Sequence, residues 1–139
     1  MSEEDAGGGE NLTGVWHGMY TYPYGGEPTA FVASVLDTAG ALSGTTHEAS
    51  TLPWLLGVTV FATIGGAREG ENVSFLKTYD DAAQGSGYDR PVRYEGRLNA
   101  DRTEIEGRWR IAGEPEGKFL MIRERQRAKA AARTAYEKV

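Results

Sequence analysis

Glu48 and Lys77 are the residues of this chain best equipped for chemistry. Each is the single charged side chain on a strand face that otherwise reads as interior: Leu42, Gly44, Thr46 and Glu48 on one, Val73, Phe75, Lys77 and Tyr79 on the other. An unpaired buried charge is very costly, so the simplest reading is that the two neutralise each other, or that Lys77 snorkels to a rim. The sharper reading makes them polar contacts of a ligand pocket. In its catalytic form, Glu48 is a base and Lys77 or a tyrosine the acid or electrophile of an isomerase- or cyclase-type reaction. The same alternation gathers Tyr20, Tyr22, Tyr79, Tyr94 and Trp109. Such rings pack cores, but they also suit a planar or ring-containing apolar ligand held by stacking and phenolic hydrogen bonds.

Other chemistries have little to stand on. The chain has no cysteine, which removes disulfides, thiol catalysis and thiolate metal sites. His17 and His47 point to the outer side of their strands, and neither has a second ligand at useful spacing, so no metal site is assigned. Asp80, Asp81 and Asp101 read as turn residues without a calcium-loop pattern. No glycine-rich phosphate loop precedes a helix, and no cofactor is expected.

The elements that must position these groups follow from the pattern. The 139 residues suffice for one domain with one core. Residues 1–11, acidic and glycine-rich, read as a disordered tail. They lack the apolar stretch of a secretory signal, and no segment approaches the length of a membrane-spanning helix, so a cytoplasmic location is the expectation. From Leu12 the hydrophobic period is two, broken repeatedly by Gly, Pro, Asn and Asp. Eight strands are predicted: Gly14–Tyr22, Thr29–Leu36, Ala41–Glu48, Val58–Ile64, Asn72–Tyr79, Pro91–Leu98, Thr103–Ala112 and Gly117–Arg125. The barrel domain is thus 12–125, and the alanine-rich run Arg125–Lys138 predicts a C-terminal α-helix over 126–139.

The connections are of two kinds, and they alternate. Asp37–Gly40, Gly65–Gly70 and Asn99–Arg102 are compact turn sequences; between them fall Pro23–Pro28, Ala49–Gly57, Asp80–Arg90 and Gly113–Glu116, most of them longer. In an antiparallel meander alternate connections lie at opposite ends. The expected architecture is therefore all-β: an eight-stranded antiparallel up-and-down barrel, closed at one end and open at the other. Parity points Gly14, Trp16, Gly18, Tyr20 and Tyr22 inward, with Ile105, Gly107, Trp109 and Ile111, and with Phe119, Met121 and Arg123. Glu104, Glu106, Arg108 and Arg110 face solvent. Hairpin register places Lys77 opposite Tyr94, Tyr94 near Gly107 and Val92 near Trp109. Tyr20, Tyr22, Glu48, Lys77, Tyr79, Tyr94 and Trp109 then crowd the mouth. Trp16 and Arg123 close the floor by a cation–π contact between the first and last strands.

The Gly14-x-Trp16 pair, the meander and the late Arg123 resemble the calycin superfamily of lipocalins, fatty-acid-binding proteins and avidins, nearest to its avidin-like and short lipocalin-like members. The strings Phe75-x-Lys77-x-Tyr79, Tyr94-x-Gly96, Thr103–Trp109 and Gly117-x-Phe119-x-Met121-x-Arg123 are similar to a group of small uncharacterised bacterial proteins. The resemblance implies a barrel that binds a ligand at its open end. The biotin contacts of avidins and the carboxylate clamp of fatty-acid-binding proteins find no matching positions here.

The functional expectation is a binding module for one small hydrophobic or aromatic molecule, with acid–base catalysis by Glu48 and Lys77 as the alternative. A third reading is an interaction module. It uses the apolar loop Thr51–Leu56 around Trp54, as a lid or a homo-oligomer contact, and the basic C-terminal segment. The net charge of −5 and the lack of aromatic residues interleaved with the basic ones argue against nucleic acid, and no basic residues flank the Trp54 loop to favour a membrane.

Overall fold

The computed structural model describes residues 11–80 and 89–124. Eight strands follow one another: β1 (Gly14–Thr21), β2 (Thr29–Thr38), β3 (Ala41–Ala49), β4 (Thr59–Glu69), β5 (Asn72–Tyr79), β6 (Val92–Leu98), β7 (Glu104–Arg110) and β8 (Gly117–Arg123). Each pairs antiparallel with its neighbour in sequence, and β8 pairs with β1, so the sheet closes on itself. Alternation of burial along the strands follows the predicted parity, with Trp16, Phe75, Lys77, Tyr94, Trp109 and Met121 all inside. The predicted C-terminal helix lies outside the described residues, as do residues 1–10 of the predicted tail.

Asn11 belongs to the barrel rather than to a tail. Its side chain donates to the Asp37 carbonyl at 3.1 Å, and its own carbonyl accepts from Arg123. The segment that leads into β1 from Asn11 thus laces across the closed end. Trp16 is fully buried there, and its indole N–H donates to the Leu12 carbonyl at 2.9 Å. The Arg123 guanidinium lies 5.0 Å from the Trp16 ring centroid, directly across the β1–β8 seam, and donates to the Arg102 carbonyl at 3.1 Å. Asp37 accepts from Leu12 N–H, Gly40 N–H and the Arg68 guanidinium at 2.8–2.9 Å. Burial pushes the Asp37 carboxyl up, but these donors outweigh it and hold the group below the usual carboxylate range. Space left among the floor residues amounts to about 10 Å³, so this end is packed shut.

Four expectations need correction. Gly65–Gly70 is not a turn: β4 continues to Glu69, and the reversal is made by Gly70 and Glu71 alone. Glycine inside a strand marks close backbone approach rather than a reversal. Indeed, a Cβ on Gly66 would sit 2.5 Å from Cα of Phe75 on β5. Likewise β2 runs on to Thr38, and the two-residue turn Ala39-Gly40, both at positive φ, carries the twist of a tight hairpin. Lys77 lies opposite Val92, and Tyr94 opposite Phe75. Tyr94 also pairs with Trp109 on the next strand, and Gly96 with Gly107. The β6–β7 turn is longer than its sequence suggests, because Asn99 Oδ1 accepts from the N–H of both Thr103 and Glu104 and delays pairing until Leu98–Ile105. Both slips are by a residue pair, so they change height in the barrel and leave every face intact.

Candidate functional site

At mid-height the interior is polar. Glu48 on β3 and Lys77 on β5 form an ion pair of 2.7 Å, with side chains essentially sealed from solvent. Glu48 also accepts from the Tyr20 hydroxyl at 2.6 Å and from the Tyr79 hydroxyl at 3.1 Å to each oxygen. The Lys77 ammonium sits 4.7 Å from the ring centroid of Phe31, 4.9 Å from Tyr79, 5.1 Å from Tyr20 and 5.6 Å from Tyr94. Burial lowers the Lys77 pKa, and the adjacent Glu48 carboxylate opposes that fall. Four ring faces and one carboxylate together replace the hydration an ammonium loses on burial.

Towards the mouth lies a cavity of about 330 Å³. Tyr20, Tyr22, Tyr79, Tyr94 and Trp109 line it, five of the seven residues the sequence singles out for a pocket. Glu48 and Lys77 do not line it. They stand behind Tyr20, Tyr79 and Tyr94, whose hydroxyls turn inward onto the pair. Three rings form mutually edge-to-face walls: Tyr20 against Trp109 at 5.8 Å, Tyr22 against Trp109 at 5.7 Å and Tyr20 against Tyr22 at 5.7 Å. The indole N–H of Trp109 is committed to the Thr21 carbonyl at 2.9 Å, which fixes the ring.

The remaining walls are Leu52, Val92 and Ile111, with Asp89 and Arg90 at the rim. Sequence alternation missed Leu52, Asp89 and Arg90, since loops carry no period-two signal; Val92 and Ile111 it placed inside without assigning them to a pocket. Arg90 is held by the Glu114 carboxylate at 2.9 Å and the Ala112 carbonyl at 3.1 Å. In the β3–β4 connection, Pro53–Leu55 forms one turn of 3₁₀ helix. It turns Leu52 to the cavity and leaves Trp54 and Leu56 largely exposed.

Burial first raises the pKa of Tyr20 and Tyr79 far above the ordinary phenol value; Tyr79 and then Glu48 add to the rise at Tyr20, and Glu48 and then Tyr94 add to it at Tyr79. Tyr94 is raised by burial first and Glu48 next. All three stay protonated at neutral pH: Tyr20 and Tyr79 donate to Glu48, and the Tyr94 hydroxyl accepts from Lys77. A folded-state pKa above the unfolded value means their contribution is complete below pH ~10 and is lost as pH rises beyond it, when only the unfolded chain sheds its protons. Alkaline titration followed by phenolate absorbance should show these three ionising in one cooperative step, coincident with loss of near-ultraviolet circular dichroism. Tyr79→Phe should remove about one-third of that step. Gradual ionisation of the same phenols in an intact barrel would contradict the buried arrangement.

Comparison with known proteins supports the architecture. No protein-family model matches the chain, and neither does any curated protein. Among solved structures the chain is similar to a redesigned β-barrel, with a TM-score of 0.65 at 11% identity over 81% of this chain and 91% of that one. It is also similar to a de novo designed fluorescence-activating β-barrel, with a TM-score of 0.58 at 15% identity over 81% of this chain and 93% of that one. The likeness is one of fold.

Proposed function

We propose that this barrel binds one small, planar hydrophobic or aromatic molecule in the mouth cavity. The observation that carries this reading is the contrast between the two ends. The floor is filled to within about 10 Å³, while the mouth keeps about 330 Å³ walled by three edge-to-face rings. That volume is near the lower bound for small-molecule pockets, roughly 300 Å³, which suits a ligand of two or three fused rings. Tyr20, Tyr22, Tyr79, Tyr94 and Trp109 supply the contacts, and Leu52 covers part of the opening. The calycin-like pattern of the sequence agrees with a ligand at the open end, as does the fluorescence activation named for one structural neighbour. In this reading Glu48 and Lys77 act through the tyrosines they orient, so acid–base catalysis by the pair is the lesser alternative: each already neutralises the other.

The test is equilibrium titration with a panel of planar aromatic fluorophores. Saturable one-to-one binding is expected, weakened about tenfold by Tyr22→Ala and unchanged by Leu76→Ala on the outer wall. Absence of saturable binding across the panel, or binding indifferent to Tyr22→Ala, would sink the proposal.

A further inference from the structure

The charges around the mouth cavity are unevenly answered. Of the residues that line it, only Asp89 and Arg90 carry charge. Arg90 is neutralised by the Glu114 carboxylate at 2.9 Å and gives a second donor to the Ala112 carbonyl. The Asp89 carboxylate has no ion pair among the described residues. Behind the cavity the Glu48–Lys77 pair, 2.7 Å apart, presents no net charge. The connections at this end lean the same way. Glu116 is taken by Arg108 at 3.2 Å, but Glu27 and Asp80 are exposed and form no ion pair among the described residues. The free cations at the mouth ends of β6 and β8, Arg93 and Lys118, point outward from the wall. The unanswered charge that lines the cavity is therefore negative.

The rings have the matching preference. An aromatic face attracts a cation, and more strongly where water is excluded. Tyr22 is half-buried at the edge of the cavity, and its ring stacks on Tyr24 at 5.2 Å, which is 80% exposed. Together they carry the aromatic wall out to solvent. The barrel already uses this chemistry one layer deeper, where the Lys77 ammonium lies within 5.6 Å of four ring centroids. An anionic occupant would meet both the electron-rich ring faces and Asp89. A neutral one would dehydrate Asp89 with nothing in return. A cation satisfies both.

Resting on the reading that this cavity holds a planar molecule, we infer that the molecule is an aromatic cation, its rings among Tyr22 and Trp109 and its positive charge facing Asp89. Three probes of nearly equal shape separate charge from size: N-methylacridinium, a permanent cation; methylanthracene, its neutral isostere; and anthracenecarboxylate, an anion. N-methylacridinium should bind one-to-one about tenfold more tightly than methylanthracene, and the anion more weakly than either. Methylanthracene should displace the cation from the same site. Asp89→Asn, at an exposed rim position, should weaken N-methylacridinium by about fivefold and leave methylanthracene unchanged. Equal or tighter binding of the neutral probe would overturn the inference and leave the aromatic pocket standing. Cation binding that methylanthracene does not displace, or that Asp89→Asn does not weaken, would put the cation elsewhere on the acidic surface and overturn it too. Saturable binding of none of the three would remove the pocket itself, and this inference with it.

Discussion

Replacing Lys77 by methionine should lower the unfolding free energy by about 3–5 kcal/mol, because it strands the Glu48 carboxylate inside the barrel without its cation. Methionine fills much of the same volume, so the loss reports charge rather than a cavity. Two tyrosine donors would remain on Glu48, Tyr20 at 2.6 Å and Tyr79 at 3.1 Å, yet neither carries a positive charge. The melting temperature should fall by more than about 10 °C. Adding Glu48→Gln to Lys77→Met should recover more than half of the loss, since the amide keeps an oxygen for the two phenols and removes the stranded charge. A double-mutant cycle should then give a coupling of about 2 kcal/mol or more. Ligand affinity, measured where the variant is still folded, should change little, because three tyrosines separate Lys77 from the cavity. A melting temperature within a few degrees of the parent, with binding abolished, would instead put Lys77 in the pocket.

The same pair shows where sequence reasoning reaches its end. Period-two alternation placed Glu48 and Lys77 inside, and it placed Trp16 and Arg123 at a common closure, because alternation depends only on the pleat. Height depends on turns, and there the reading slipped. The Asn99 side chain lengthens the β6–β7 reversal by capping two N–H groups, a contact that composition does not announce. That slip sets Tyr94 level with Trp109 and Phe75, so the tyrosine walls off Lys77 from the opening. Leu52, Asp89 and Arg90 were invisible for a different reason: they lie in connections, where no periodicity assigns a face. Asn11 was misjudged because its tie to Asp37 and Arg123 is made by tertiary hydrogen bonds, while its glycine-rich neighbours read as a tail.

Gly107→Ala should destabilise the barrel by about 3 kcal/mol or more, and Gly65→Ala should leave it unchanged or stabilise it by up to about 1 kcal/mol. The chemical change is the same methyl group on an extended strand. A Cβ on Gly107 would lie 2.0 Å from the Glu95 carbonyl oxygen and 2.5 Å from Cα of Gly96, both backbone atoms of β6. Neither can rotate away, so β6 and β7 would have to part. On Gly65 the Cβ would meet no atom within 4 Å, and the residue gains from a stiffer unfolded chain. The contrast arises because a small barrel curls its wall most tightly where adjacent strands carry paired glycines, here Gly96 and Gly107. Trp109 is two residues further along β7, so a parted seam also tilts one wall of the mouth cavity. Chemical denaturation should separate the two variants by their midpoints. In the fraction of Gly107→Ala that folds, fluorophore affinity should fall, while Gly65→Ala binds as the parent does. Equal stability of the two variants would mean that the β6–β7 approach is looser than this geometry requires, and the aromatic walls would lose the rigid seam that holds them apart.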